Sequence, residues 1–122
     1  MTNTFDWIEV GTRDVGRAAE FYRHLFGWDV VDKQVAGGSD YWIFDTGDDP
    51  RAENLRRAGL CHRPDDAVPG VLVYVRVDDI DAILRQVVDL GGEVVVPRHP
   101  VGRASTACFA DPDGNTLGLW QE

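Results

Sequence analysis

The strongest constraint on this chain is internal repetition, because its second half reads as a divergent copy of its first. At one fixed offset Asp14 falls on Asp78, Ala18 on Ala82, Gly27 on Gly91, and Val30-Val31 on Val94-Val95. A β-like run precedes each Asp, Phe5 to Val10 in one half and Val71 to Val77 in the other. A repeat of this length is a whole supersecondary unit, so the fold must be built from two equivalent pieces. Two such pieces suggest a cavity formed by equivalent faces, where function is to be sought. With 122 residues, the chain is read as one domain, residues 1–122, made of module 1 at about 5–62 and module 2 at about 71–120.

Within each copy the periodicities give β-α-β-β-β. The first helix is expected from about Asp14 to Phe26, with Val15, Ala18, Ala19, Tyr22, Leu25 and Phe26 as its apolar stripe, Asp14 as cap and Gly27 as stop. The second is expected from Asp78 or Asp79 to Leu90, with Ile80, Ile83, Leu84, Val87 and Val88 as its apolar stripe and Gly91-Gly92 as the stop. Strands are expected at Trp28–Val35, Tyr41–Asp45 and Leu55–His62, then at Glu93–Val96, Ala104–Ala110 and Asn115–Trp120. Asp111-Pro-Asp-Gly-Asn115 reads as a hairpin turn. The polar stretch Gly47–Asn54 is read as a loop, and His62 to Gly70 as the linker between modules.

Alternation along the strands separates two faces. In Val71–Val77 every odd residue is Val, which puts the valines under a helix and Leu72, Tyr74 and Arg76 on the other face. In the first strand Ile8 and Val10 take the helix side and leave Phe5, Trp7 and Glu9 opposite; in the last strand Leu117 and Leu119 do so and leave Gly118 and Trp120. The set Trp7, Glu9, Tyr74, Arg76 and Trp120 is too aromatic for a wet surface and too polar for a dry core, which suits the wall of a ligand cup. The competing reading packs the aromatics in a dimer interface and pairs Glu9 with Arg76.

The net charge of −9 argues against nucleic acid and anionic membrane as partners. The N-terminus has neither the basic start nor the apolar run of a signal peptide, and no apolar run approaches membrane-spanning length. Cys61 and Cys108 stand outside any zinc spacing and are read as free thiols of a reducing cytoplasm. His24 is expected near the solvent-facing end of its helix and His99 in an exposed loop. Arg51, Arg56, Arg57, Arg63, Arg98 and Arg103 are read mostly as solvated charge, with Arg103 beside Gly102 the best placed to reach a pocket mouth.

The stretches Trp7-Ile-Glu-Val, Ala18-Ala-Glu-Phe-Tyr-Arg-His-Leu-Phe-Gly-Trp28, Tyr41-Trp-Ile-Phe-Asp-Thr-Gly47, Val75-Arg-Val-Asp-Asp-Ile-Asp81 and Ala110-Asp-Pro-Asp-Gly-Asn-Thr-Leu-Gly-Leu-Trp-Gln121 resemble the vicinal oxygen chelate superfamily of glyoxalases, bleomycin-resistance proteins and extradiol dioxygenases. The resemblance covers nearly the whole chain. It implies an α+β fold in which two βαβββ modules form a cupped mixed sheet, and a homodimer. It does not fix an activity, since one fold hosts many.

Metal-dependent members place a His, Gln or Glu on the first and last strand of each module. The resemblance puts those positions at Trp7, Leu72 and Gly118, with the fourth near Leu60, or His62 if the register shifts by two. Such residues do not make a metal site, and neither metal nor other cofactor is expected; Glu9 with His62 is the one displaced pair conceivable. The leading expectation is therefore a metal-free binder of a small, flat organic molecule, with Trp7, Glu9, His62, Leu72, Tyr74, Arg76, Arg103 and Trp120 as candidate ligand-binding residues. The alternatives are a lyase, isomerase or dioxygenase of the same superfamily, with Glu9 as base or a displaced metal, and a non-catalytic interaction subunit.

Overall fold

The computed structural model describes residues 3–36, 38–47, 56–63 and 70–122. Its elements in chain order are β1 (Thr4–Thr12), α1 (Val15–Phe26), β2 (Asp29–Ala36), β3 (Ser39–Asp45), β4 (Arg57–His62), β5 (Val71–Arg76), α2 (Ile80–Asp89), β6 (Glu93–Val101), β7 (Ala104–Ala110) and β8 (Thr116–Gln121). This is the expected βαβββ pattern twice over, an α+β fold with mixed strand pairing. The chain divides into two compact units, Trp7–Leu72 and Val73–Glu122, the latter together with the segment up to Asp6.

In the first unit the strand order is β2-β3-β4-β1, with β1 parallel to β4 and the other neighbours antiparallel. The helix α1 lies against β2, β3 and β4. Its start is set by Asp14, whose carboxylate accepts from the Arg17 N–H at 3.0 Å, and its end by Gly27 in the left-handed region at φ 74°. Val15, Phe44, Ala58 and Leu60 form the core, with Ile8, Val10, Ala18, Ala19, Trp28, Val30 and Trp42 packed around it. Tyr22 and Phe44 stack on Trp28 at 5.5 and 5.3 Å between ring centroids. Leu25 and Phe26, expected in the stripe, are 56% and 58% exposed. The stripe outruns the sheet, and Phe26 packs its ring on Trp28 at 4.7 Å between centroids.

In the second unit the order is β5-β8-β7-β6, with β5 parallel to β8 and the rest antiparallel. The helix α2 lies against β6, β7 and β8. Its cap is Asp79, accepting from the Ala82 N–H at 3.1 Å, and the left-handed Gly91 follows it at φ 92°. The core is Val77, Ile80, Ala107 and Leu119, joined by Val75, Ile83, Leu84 and Phe109. Val88 and Val71 are exposed, contrary to expectation; Val71 begins its strand away from the core that takes Val75 and Val77. The turn 111–115 closes the β7–β8 hairpin, with the Asp111 carboxylate accepting from the Asp113 and Asn115 N–H groups at 2.9 Å each.

One element is longer than the sequence suggests. β6 continues past Val96 to Val101 through two prolines, using register shifts against β7 at Val94/Val96 and Val96/His99. Proline donates no ladder hydrogen bond, so it reads as a strand end, but an edge strand with bulges absorbs it. His99 is thus on a strand opposite Thr106 rather than in a loop. Residues 48–54, most of the expected loop, and 64–69, most of the expected linker, lie outside the described residues, as do Arg51 and Leu55. Among the described residues no helix is long and apolar enough to cross a membrane.

Candidate functional site

The faces away from the helices carry the candidates, and the strand registers fix which residues share them. In the first unit Glu9 lies opposite Gly59 and Gly11 opposite Cys61 across the parallel ladder, while Tyr41 lies opposite Cys61 from the other side. Trp7, Glu9, Tyr41, Cys61 and Arg63 therefore face away from α1, whereas Ile8, Val10, Ala58 and Leu60 face it.

These side chains form one hydrogen-bonded network. The Trp7 indole N–H donates to Tyr41 Oη at 2.8 Å, and the Tyr41 hydroxyl donates to Glu9 Oε2 at 2.9 Å. The Arg63 guanidinium donates from Nη2 to Glu9 Oε1 at 2.5 Å and from Nη1 to the Gly70 carbonyl at 3.0 Å. The Glu9 and Arg63 side chains are only 14% and 11% exposed. Two glycines make the arrangement possible. A Cβ on Gly59 would overlap the Tyr41 phenol, and one on Gly11 would lie 2.6 Å from Arg63 Cδ. Burial, and then the Glu9 carboxylate, raise the Tyr41 phenol above its ordinary value, so it is held as a proton donor. Burial and Glu9 likewise push the Cys61 thiol from 9.0 up to about 11, which leaves it a poor nucleophile at neutral pH.

Sequence reasoning found Trp7 and Glu9 but missed Tyr41 and treated Arg63 as solvated. The signal for Tyr41 was its parity on β3, usable only once the pairing with β4 was known. Arg63 follows β4 and had no such signal. His62 is exposed and, between Cys61 and Arg63, takes the helix side of β4, so the structure does not bring it to Glu9. Glu9 instead pairs with Arg63, and Arg76 pairs with Asp6 at 3.5 Å and Glu122 at 2.9 Å.

In the second unit Tyr74 lies opposite Gly118, and Arg76 opposite Trp120, which lies opposite Thr106. The Tyr74 ring covers Gly118, where a Cβ would sit 2.5 Å from its Cδ1. Thr106 is buried, and its hydroxyl contacts His99 Nε2 at 3.0 Å while Nδ1 sits 3.1 Å from the Pro97 carbonyl. A carbonyl only accepts, so Nδ1 carries the proton and, in the neutral ring, Nε2 accepts from Thr106. Trp120 is half-buried and Arg103 exposed in the β6–β7 turn, while Leu72, the last residue of the first unit, is buried.

The sequence matches the Glyoxalase/Bleomycin resistance protein/Dioxygenase superfamily over residues 4–119. The chain belongs to this superfamily. It is 34% identical over 123 residues to a Mycobacterium bovis protein named "Putative glyoxylase CFP32", a match covering 97% of this chain and 45% of that one. It is 32% identical over 127 residues to the anthracycline biosynthesis protein DnrV of Streptomyces peucetius, covering 95% and 46%. The chain thus spans about half the length of the curated relatives it matches. A methylmalonyl-CoA epimerase solved with methylmalonyl-CoA and NH4+ shares the fold, with a TM-score of 0.67 at 22% identity over 100% of this chain and 96% of that one.

The registers also test the superfamily's metal positions. Gly118 lies opposite Tyr74 on β5 as Gly59 lies opposite Glu9 on β1, so the fourth position is Gly59 rather than the core residue Leu60. Trp7, Gly59, Leu72 and Gly118 offer no side-chain donor to a divalent metal. Among the described residues no three His, Cys, Asp or Glu side chains gather as a metal site would require. The donor set does not fit the group.

Proposed function

We propose that this protein is a small-molecule-binding member of the superfamily that works without a resident metal. It takes a flat organic ligand against the sheet face away from the helix. In the first module Trp7 is the stacking surface, and in the second Tyr74 and Trp120 sit on the corresponding face. The observation that carries the reading is the Trp7–Tyr41–Glu9–Arg63 network, a part-buried polar arrangement that orients the Trp7 indole, with Tyr41 and Arg63 lying over Gly59 and Gly11. Locked aromatic planes with a few oriented polar groups are what a planar ligand needs. The kinship with an anthracycline biosynthesis protein supports a polycyclic aromatic class of ligand.

The network also favours a binder over an enzyme using Glu9 as base. Both Glu9 oxygens accept hydrogen bonds, one from a guanidinium, so a proton abstracted there would have to displace a partner. The proposal further includes a homodimer, supported by Phe21, Leu25 and Phe26 standing exposed on α1, and a reducing cytoplasm, supported by the burial of Cys61, whose thiol is held protonated. A thermal-shift screen of polycyclic quinones and acyl-CoA esters, followed by Trp fluorescence, tests the reading. Binding that survives chelator and is lost in Trp7→Ala is the expected result. Turnover abolished in Glu9→Gln with binding retained would replace it with the lyase or isomerase. No stabilisation across the screen would leave the interaction subunit.

A further inference from the structure

The same network decides the charge of what the first module can hold. An acidic chain with a carboxylate beside an indole invites a cationic ligand, since Glu9 would attract it and the Trp7 face would add a cation–π contact. The geometry removes that attraction. Glu9 is charge-balanced by Arg63, both side chains are nearly buried, and both carboxylate oxygens are engaged. A cation reaching Glu9 would have to displace Arg63, leaving a guanidinium buried without its counter-charge, which costs more than the new contact returns. A cation over Trp7 that left the pair intact would feel Arg63 and Glu9 cancel. An anion faces the same cancellation with the signs reversed.

We infer that the Trp7–Tyr41 face of the first module selects uncharged planar conjugated molecules over charged ones, with Arg63 as the residue that sets this discrimination. The inference rests on the binding reading above. It is independent of which ring system the natural ligand carries, because it concerns charge alone.

Three probes on one ring system test it: 2-(hydroxymethyl)anthraquinone, its trimethylammonium analogue, and anthraquinone-2-sulfonate. Each is titrated against wild-type protein by Trp fluorescence quenching and calorimetry. The neutral probe is expected to bind about tenfold or more tighter than either charged one, as unit charges near a low-dielectric site require. In Arg63→Met, where Glu9 loses its counter-charge, the cationic probe is expected to gain about tenfold. Should that variant fail to fold, Arg63→Gln removes the charge and keeps a hydrogen-bond donor for Glu9. There too the cation is expected to gain about tenfold on the neutral probe. Wild-type protein that binds the cation as tightly as the neutral probe overturns the inference and leaves the binding reading standing. So does an Arg63→Gln variant that folds and leaves the discrimination unchanged. Failure of all three probes to bind wild type, alongside a blank ligand screen, overturns the binding reading and the inference with it.

Discussion

Tyr41 is the residue on which the first module's polar face depends. Its hydroxyl accepts from Trp7 and donates to Glu9, so one oxygen joins the aromatic surface to the ion pair. Tyr41→Phe keeps the ring over Gly59 but orphans the indole N–H and removes a donor from a carboxylate that is 14% exposed. A lost buried hydrogen bond of this kind costs about 1–3 kcal/mol, to be read from denaturant unfolding. The sharper readout is tryptophan quenching by a planar quinone, whose apparent affinity should weaken in Tyr41→Phe; unchanged affinity would remove Tyr41 from the site. Cys61, on the same face, supplies a pH signature. Its thiol is held at about 11 against an ordinary 9.0, so the folded protein keeps a proton that the unfolded chain gives up. That contribution is fully present below pH 9 and is lost as pH rises through about 11, so stability falls in this window. Thermal unfolding of wild type against Cys61→Ala from pH 8 to 11 checks it. The expected difference is a steeper alkaline decline in wild type, and parallel curves would refute the assignment.

At the scale of elements, the two helices show what the sequence states openly and what it leaves ambiguous. Asp14 and Gly27 bracket α1 where expected, because a capping carboxylate and a left-handed glycine act through nearby backbone alone. The second helix begins with two adjacent aspartates, Asp78-Asp79, and the repeat favours the first by alignment. The structure gives the cap to Asp79, one position later, while the left-handed glycines Gly27 and Gly91 stay in phase with the repeat. Asp79→Ala is therefore expected to cost about 1 kcal/mol, and Asp78→Ala to stay within about 0.5 kcal/mol. Urea unfolding of both variants distinguishes them, and the reverse order would move the cap. The strands were readable by alternation wherever one face is buried, but β6 was cut short at Pro97. Its extension depends on bulges against β7, a property of the pairing rather than of local sequence. The exposed Leu25, Phe26 and Val88 fail in the same way, since helical periodicity marks a stripe without saying where the supporting sheet ends.

For the molecule as a whole, the repeat made the fold legible and the site only half so. A face assignment needs parity alone, which is why Trp7, Glu9, Tyr74 and Trp120 could be placed on one side of their strands. Which polar groups meet needs register and loop path, which is why Tyr41 and Arg63 were missed and His62 was overrated. The same registers show how the two modules have diverged at equivalent positions. Glu9 and Tyr74 correspond across Gly59 and Gly118, and Trp7 corresponds to Leu72, so neither module keeps a donor where the superfamily's metal-dependent members hold theirs. Each glycine is moreover covered by a tyrosine, Tyr41 in one module and Tyr74 in the other, so the space a ligating side chain would cross is filled by a ring. Zn²⁺, Ni²⁺ or Fe²⁺ added at a few equivalents should therefore leave the melting temperature unchanged, because a ligand stabilises only in proportion to its affinity for the folded state. Elemental analysis of the purified protein should find far less than one metal per chain, and ligand binding should be indifferent to chelator. One bound metal per chain, with chelation lowering both melting temperature and ligand affinity, would show that donors other than these four positions have taken over, and Glu9 would be the first residue to replace.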